Sequence, residues 1–195
     1  MRRGLGVLII GGLAMTLSGC LTLMPVGSHV ERGVDFVRFS TYDWGPADAL
    51  PVSDQRLREN PYFVDDVHGA IDRELNRHGL GRATTERADL LVHVHAAIAE
   101  RVEVASRPGR YRDCLGDDCR PKVNTYDAGT LVIDIIDAST QQLVWRGWAE
   151  HRLEDMLDDP AQVGRRVQDA VRRIFDRFPL TVNQTSRRTA LEGTR

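Results

Sequence analysis

Two neighbouring stretches, Thr130 to Asp137 and Leu143 to Leu153, alternate apolar and polar side chains and are separated by the turn-forming run Asp137-Ala-Ser-Thr-Gln141. A period of two sends successive side chains to opposite faces of a strand, so the pair predicts an antiparallel hairpin with one apolar face. Leu131, Ile133 and Ile135, with Leu143, Trp145, Gly147 and Ala149, form that face and are the expected core. Val132, Asp134 and Ile136, with Val144, Arg146, Trp148 and Glu150, fall on the other. Keeping the apolar faces together requires paired residue numbers with an even sum. That sets Asp134 directly or diagonally across from Arg146 and predicts an ion pair between them.

An apolar sheet face needs a cover, and two amphipathic segments supply one. Asn60-Pro61 opens a helix, with Asn60 as N-cap, Pro61 in the first helical position, Val64, Val67, Ile71 and Leu75 on one face, and Gly79 as the stop. Asp159-Pro160 opens a second, whose apolar positions Val163, Val167, Ala170, Val171, Ile174, Phe175 and Phe178 run up to Pro179. Val34 to Trp44 reads as a first strand, and Leu90 to Val104 as another with Leu90, Val92, Val94, Ala96 and Ile98 on one face. The order β-α-β-β-β-α predicts an α+β fold, a mainly antiparallel sheet with two helices packed on one face. Residues 34–180 are expected to form a single domain, and the polar residues 181–195 a disordered tail.

The N-terminus constrains location more than fold. Arg2 and Arg3 precede an apolar run from Leu5 to Leu17, and Ser18 and Gly19 lead to Cys20. Thirteen helical residues extend about 20 Å, short of the roughly 30 Å hydrocarbon core, so residues 1–19 read as a secretory signal peptide rather than a span. Leu17-Ser18-Gly19-Cys20 resembles the bacterial lipobox, which implies cleavage before Cys20 and a diacylglycerol thioether on it, with palmitate among the attached chains. By the same resemblance, Leu21 in place of Asp after the lipidated Cys favours the outer membrane. Residues 20–33, with Pro25, Gly27, Ser28 and Gly33, are expected to tether the domain to that lipid.

Export sets the reading of the remaining cysteines. Cys114 and Cys119 form an even pair in an oxidising compartment, and the loop Cys114-Leu-Gly-Asp-Asp-Cys119 suits a local disulfide. Zinc held by the two thiolates with Asp117 and Asp118 is the alternative, although the spacing matches no recognised zinc site. Without residues 1–19 the chain has 24 basic and 28 acidic residues, and the basic ones alternate with acids, so nucleic acid is not an expected partner.

No Gly-x-Ser-x-Gly elbow, phosphate loop, His-Glu-x-x-His helix or Cys-x-x-Cys is present, and no reaction or cofactor is read from the chain. His93 and His95 lie two apart on a strand, about 7 Å apart on one face, where they are either a half-exposed polar row or two ligands of a metal ion. If that strand joins the hairpin sheet, both share the non-core face with Arg146 and Trp148. An exposed Trp beside an Arg and β-branched residues has the composition of an interface centre; the plainer reading is that Trp148 packs beneath the 105–124 loop or a terminal segment.

The chain also resembles the bacterial lipoprotein family of domain of unknown function 4136. The likeness lies in Thr41-Tyr42-Asp43-Trp44, Asn60-Pro61 and Ala88-Asp89-Leu90-Leu91-Val92, and most specifically in Gly129 to Ala138 and Leu143-Val144-Trp145-Arg146-Gly147-Trp148-Ala149, ending with Ile174-Phe175 and Phe178-Pro179. The Cys114 to Cys119 loop departs from the family pattern. The resemblance implies compartment and fold and carries no catalytic residue. The expected function is therefore that of a lipid-anchored cell-envelope lipoprotein, its membrane partner reached through Cys20 and its periplasmic domain presenting a surface to an envelope protein. Asp134, Arg146 and Trp148 are the candidate contact residues, and metal binding or metal-dependent catalysis through His93 and His95 is the alternative.

Overall fold

The computed structural model describes residues 24–45, 54–84, 87–105, 122–153 and 159–179. It is an α+β fold built on one six-stranded sheet. The strands are β1 (Val26–Val30), β2 (Thr41–Trp44), β3 (Gly81–Arg82), β4 (Leu90–Ala105), β5 (Lys122–Asp137) and β6 (Gln142–Arg152), in the spatial order β1-β6-β5-β4-β2-β3. The pairings β1·β6, β6·β5 and β5·β4 are antiparallel, and the short pairings of β2 with β4 and β3 are parallel, so the sheet is mixed. The helices are a single turn α1 (Gln55–Arg58), α2 (Phe63–Arg77) and α3 (Pro160–Phe175), and a 3-10 turn spans Phe36–Arg38.

The predicted hairpin forms as β5 and β6, with Asp137 turning the chain: its Oδ1 accepts from the Ser139 and Thr140 amides at 2.8 and 3.2 Å, and Gln141 adopts a left-handed φ of 59°. One detail inverts. A bulge between Ile135 and Ile136 leaves Val144 unpaired, since Ile135 faces Trp145 while Ile136 faces Leu143. Val144 is buried and Leu143 only half so, the reverse of strict alternation. Beyond the bulge the predicted register holds, with Asp134 directly opposite Arg146.

Four further expectations are corrected. The tether does not run to residue 33, because Val26–Val30 pairs with Trp145–Ala149 as the edge strand. The first predicted strand, Val34 to Trp44, is extended only over Thr41–Trp44, because Asp35 caps a 3-10 turn by accepting from the Val37 amide. In α2 the buried face is Phe63, Val67, Ala70, Ile71 and Leu75, leaving Val64 exposed. Asn60 does not cap that helix directly: its Oδ1 accepts from the Tyr62 amide at 3.0 Å, holding the turn before it.

The core lies between the sheet and the helices. Val92, Val94, Ala96, Ile133, Ile135, Trp145 and Ala149 join the buried residues of α2 and α3 in one cluster. Asp159 caps α3 by accepting from the Ala161 and Gln162 amides, and the helix delivers Ile174 and Phe175 to the ring of Trp145. The Trp145 ring meets Phe178 edge-on at 5.0 Å. A Cβ on Gly147 would lie 2.4 Å from both Ile174 Cγ2 and Trp145 Cη2, so only glycine admits the helix this close to the sheet. No helix of the described residues is long and apolar enough to cross a membrane.

Candidate functional site

The alternation that buries Val92, Val94, Ile133 and Trp145 sends their neighbours to the opposite side of the sheet. Four strands converge there in two rows. His29, Arg146, Asp134 and His93 stand across β1, β6, β5 and β4 in one row, and Gly27, Trp148, Val132 and His95 stand in the next.

Asp134 and Arg146 form the centre. Arg146 Nε donates to Asp134 Oδ1 at 2.6 Å and its Nη2 to Oδ2 at 2.7 Å, a bidentate pair that fixes both planes. The Asp134 hydrogen bonds raise the Arg146 pKa further above its ordinary value. Asp134 is only 6% exposed, whereas nearly half of the arginine side chain reaches solvent. His95 Nε2 lies 3.7 Å from Asp134 Oδ2.

Trp148 is 37% exposed, and its six-membered ring lies against β1 at Gly27. A Cβ on Gly27 would come within 2.2 Å of Trp148 Cζ2, so the bare glycine backbone is the floor on which the indole rests. His93 leans the other way. A Cβ on Gly45 would meet its Nε2 at 2.4 Å, so the ring covers the end of β2.

The sequence thus places Asp134, Arg146, Trp148, His93 and His95 on one face, and the structure brings the first two into direct contact. It does not gather a metal centre among the described residues: no three His, Cys, Asp or Glu side chains converge closely enough to hold an ion. Asp134, the acid beside His95, has both oxygens engaged by Arg146. Cys20, Cys114 and Cys119 lie outside the described residues. Sequence reasoning missed Gly27 and His29, because a five-residue edge strand next to Pro25 has too few positions to display a period.

Other motif residues are structural. Asp89 accepts from the Ser40 and Thr41 amides and from both hydroxyls at 2.9 to 3.1 Å, fastening the starts of β2 and β4 together. Burial alone would raise its pKa; the hydrogen bonds outweigh burial and hold it below the ordinary carboxylate value. Trp44 stacks on His68 at 4.0 Å, and its Nε1 donates to Asp72 at 3.2 Å.

A family model described as domain of unknown function (DUF4136) matches residues 26–180, the span from β1 to just beyond α3. No curated protein matches the chain. Among solved structures, a PDZ domain protein from Parabacteroides distasonis aligns with a TM-score of 0.51 at 18% identity, over 80% of this chain and 35% of that one. The chain therefore spans about a third of that protein, and the likeness is one of fold. A PelC dodecamer from Paraburkholderia phytofirmans aligns at a TM-score of 0.44, with 12% identity over 78% of this chain and 94% of that one. A putative neuraminyllactose-binding hemagglutinin homolog from Helicobacter pylori aligns at 0.42, with 10% identity over 81% and 92%.

Proposed function

This chain belongs to the family described as domain of unknown function DUF4136, and from that premise we propose that it is a lipid-anchored protein of the bacterial cell envelope whose open sheet face binds a periplasmic protein. The anchor is Cys20, supported by the charged start, the short apolar run and Leu17-Ser18-Gly19-Cys20. Leu21 favours the outer membrane, and the even pair Cys114 and Cys119 suits a disulfide in that compartment. The sheet is antiparallel through its long strands, α2 and α3 lie on one side of it, and among the described residues the other side carries no helix.

One observation carries the binding reading. Trp148 rests partly exposed on Gly27, beside a fixed bidentate Asp134–Arg146 pair, on a face that no helix among the described residues covers. A large aromatic resting on a bare backbone next to an oriented arginine is the arrangement that concentrates energy at interface centres, since neither side chain loses much freedom on binding. Metal binding by His93 and His95 is the competing reading, and it requires Asp134 to release Arg146 or a ligand from elsewhere; metal analysis of untagged protein separates the two.

The test is a photo-reactive residue at Val132, between Trp148 and His95, in living cells. A discrete crosslinked species is expected that disappears in Trp148→Ala while the melting temperature is nearly unchanged. A Trp148→Ala protein that crosslinks as the parent does would overturn this assignment.

A further inference from the structure

β4 and β5 outrun their neighbours. The pairing of β5 with β6 ends at Ala128 opposite Arg152, while β4 and β5 continue together to Ala105 opposite Lys122. Leu153 N still donates to Asp127 O, so the strands from Arg101 to Ala105 and from Lys122 to Tyr126 project as a two-stranded ribbon about 14 Å past the sheet.

The two sides of the ribbon differ. Arg101, Glu103 and Tyr126 share one side and are braced to β6: Arg101 donates to Glu150 and Arg152 to Glu103, both at 2.8 Å, and the Arg152 guanidinium lies 3.6 Å over the Tyr126 ring. The other side continues the line of the core face beyond the helices. It carries Val102, Val104 and Val123, exposed by 62%, 56% and 61%, with Val104 directly opposite Val123. Charge fixes one side and three uncovered valines occupy the other, a sidedness suited to an interface between water and an apolar medium.

The N-terminus leaves the domain at this same end. β1 runs antiparallel to β6, and Pro25 O accepts from Glu150 N, so tracing the chain backwards from Val26 leads toward Arg152 and the root of the ribbon. Met24 lines an apolar cavity of about 70 Å³ together with Ile98, Gly129 and Leu153. Cys20 is four residues earlier, so a lipid on it is held within about 14 Å of Met24.

We propose that the valine face of this ribbon rests on the surface of the bilayer leaflet that holds the lipid on Cys20. The inference depends on the lipid-anchored reading above. Three side chains fall far short of the roughly 800 Å² per partner that a stable dimer buries, which argues against a second copy as the occupant. A bilayer needs no such area here, because the anchor already keeps the ribbon at high local concentration beside it. Among the described residues the ribbon's outer edges have no partner strand, which confines it to the headgroup boundary, since unpaired N–H and C=O groups are not tolerated in hydrocarbon.

The test uses the full-length protein made in a lipidating bacterial host and reconstituted into phosphatidylethanolamine and phosphatidylglycerol vesicles with brominated acyl chains. The emission added by Val104→Trp should be quenched several-fold more than that added by Val37→Trp, an exposed position on the 3-10 turn. Adding Val102→Asp and Val123→Asp to Val104→Trp should abolish the difference. The mass of the Cys20 peptide is read in the same preparation. Lipid present with Val104→Trp unquenched overturns the ribbon proposal and leaves the anchor standing, whereas lipid absent overturns the anchored reading and this proposal with it. Crosslinks between ribbons of two copies, in place of quenching, would overturn it in favour of a self-association surface.

Discussion

The Tyr42 hydroxyl donates to Asp72 Oδ1 at 2.8 Å, tying β2 to the flank of α2. Trp44 reaches the same oxygen, so one carboxylate on α2 serves two aromatic donors two residues apart on the strand. Burial, and then the bond to Asp72, pushes the Tyr42 hydroxyl well above the ordinary tyrosine pKa. Asp72→Ala removes the acceptor from both donors and is expected to cost about 2–3 kcal/mol in urea unfolding, against about 1 kcal/mol for Tyr42→Phe. Equal losses would contradict the shared role of Asp72.

Gly27 and Trp148 are coupled by contact. Gly27→Ala puts a methyl group into the space of the indole and is expected to cost about 1–3 kcal/mol while shifting the emission of Trp148. In a Trp148→Ala background the same change should cost a few tenths of a kcal/mol. A double-mutant cycle with no coupling energy would show that the ring has another resting place.

Arg146→Lys keeps the charge opposite Asp134 and loses the fork that binds both oxygens. Stability is expected to fall by about 1 kcal/mol, and Arg146→Ala should fall further because it leaves a nearly buried carboxylate without its partner. Chemical denaturation at constant pH measures both, and an Arg146→Lys protein as stable as the parent would argue that one hydrogen bond suffices.

Acid should unfold the domain in two stages. Burial holds the imidazoles of His68, His78 and His151 below their ordinary pKa, with Arg166 adding to the effect on His151. These groups protonate less readily when folded than when unfolded, so their contribution is complete above about pH 6.5 and declines as pH falls below it. Asp89 and Asp137 are net-lowered because hydrogen bonds outweigh their burial, so their contribution is lost only below about pH 4. His68→Gln should make the first stage of a plot of urea midpoint against pH shallower, with His78 and His151 still contributing, and leave the second intact.

The parts legible in the sequence were those whose period repeats often enough to outweigh local exceptions. The long helix α3 shows six apolar positions on one side, and the Asp134–Arg146 pairing followed from the parity of a hairpin register. Parity also failed locally, because the extra residue at Val144 exchanges the inward and outward roles of Leu143 and Val144, and nothing in a window of apolar residues marks where a bulge falls. The front half of β5, from Lys122 to Gly129, contains Asn124, Asp127 and Gly129 and has weak strand character by itself; its partner β4 supplies the ladder. β1 was hidden for a related reason, since its strand state depends on β6, more than a hundred residues away. The candidate site was readable on β4, β5 and β6 and unreadable on β1.

Because β1 is both the first of the described strands and an edge, tension drawn out past Arg152 through the residues before Met24 enters the domain along its axis. All five of its residues are registered against β6, whose N–H and C=O groups point across the strand, perpendicular to the pull. The load is then borne in shear by the whole row at once, and Pro25 O, bonded to Glu150 N, lies where that load arrives. Opposite pulling directions are not equivalent for such a joint. A force drawing β1 sideways off the sheet peels the bonds one after another, whereas a force drawn out past Arg152 must break the row together.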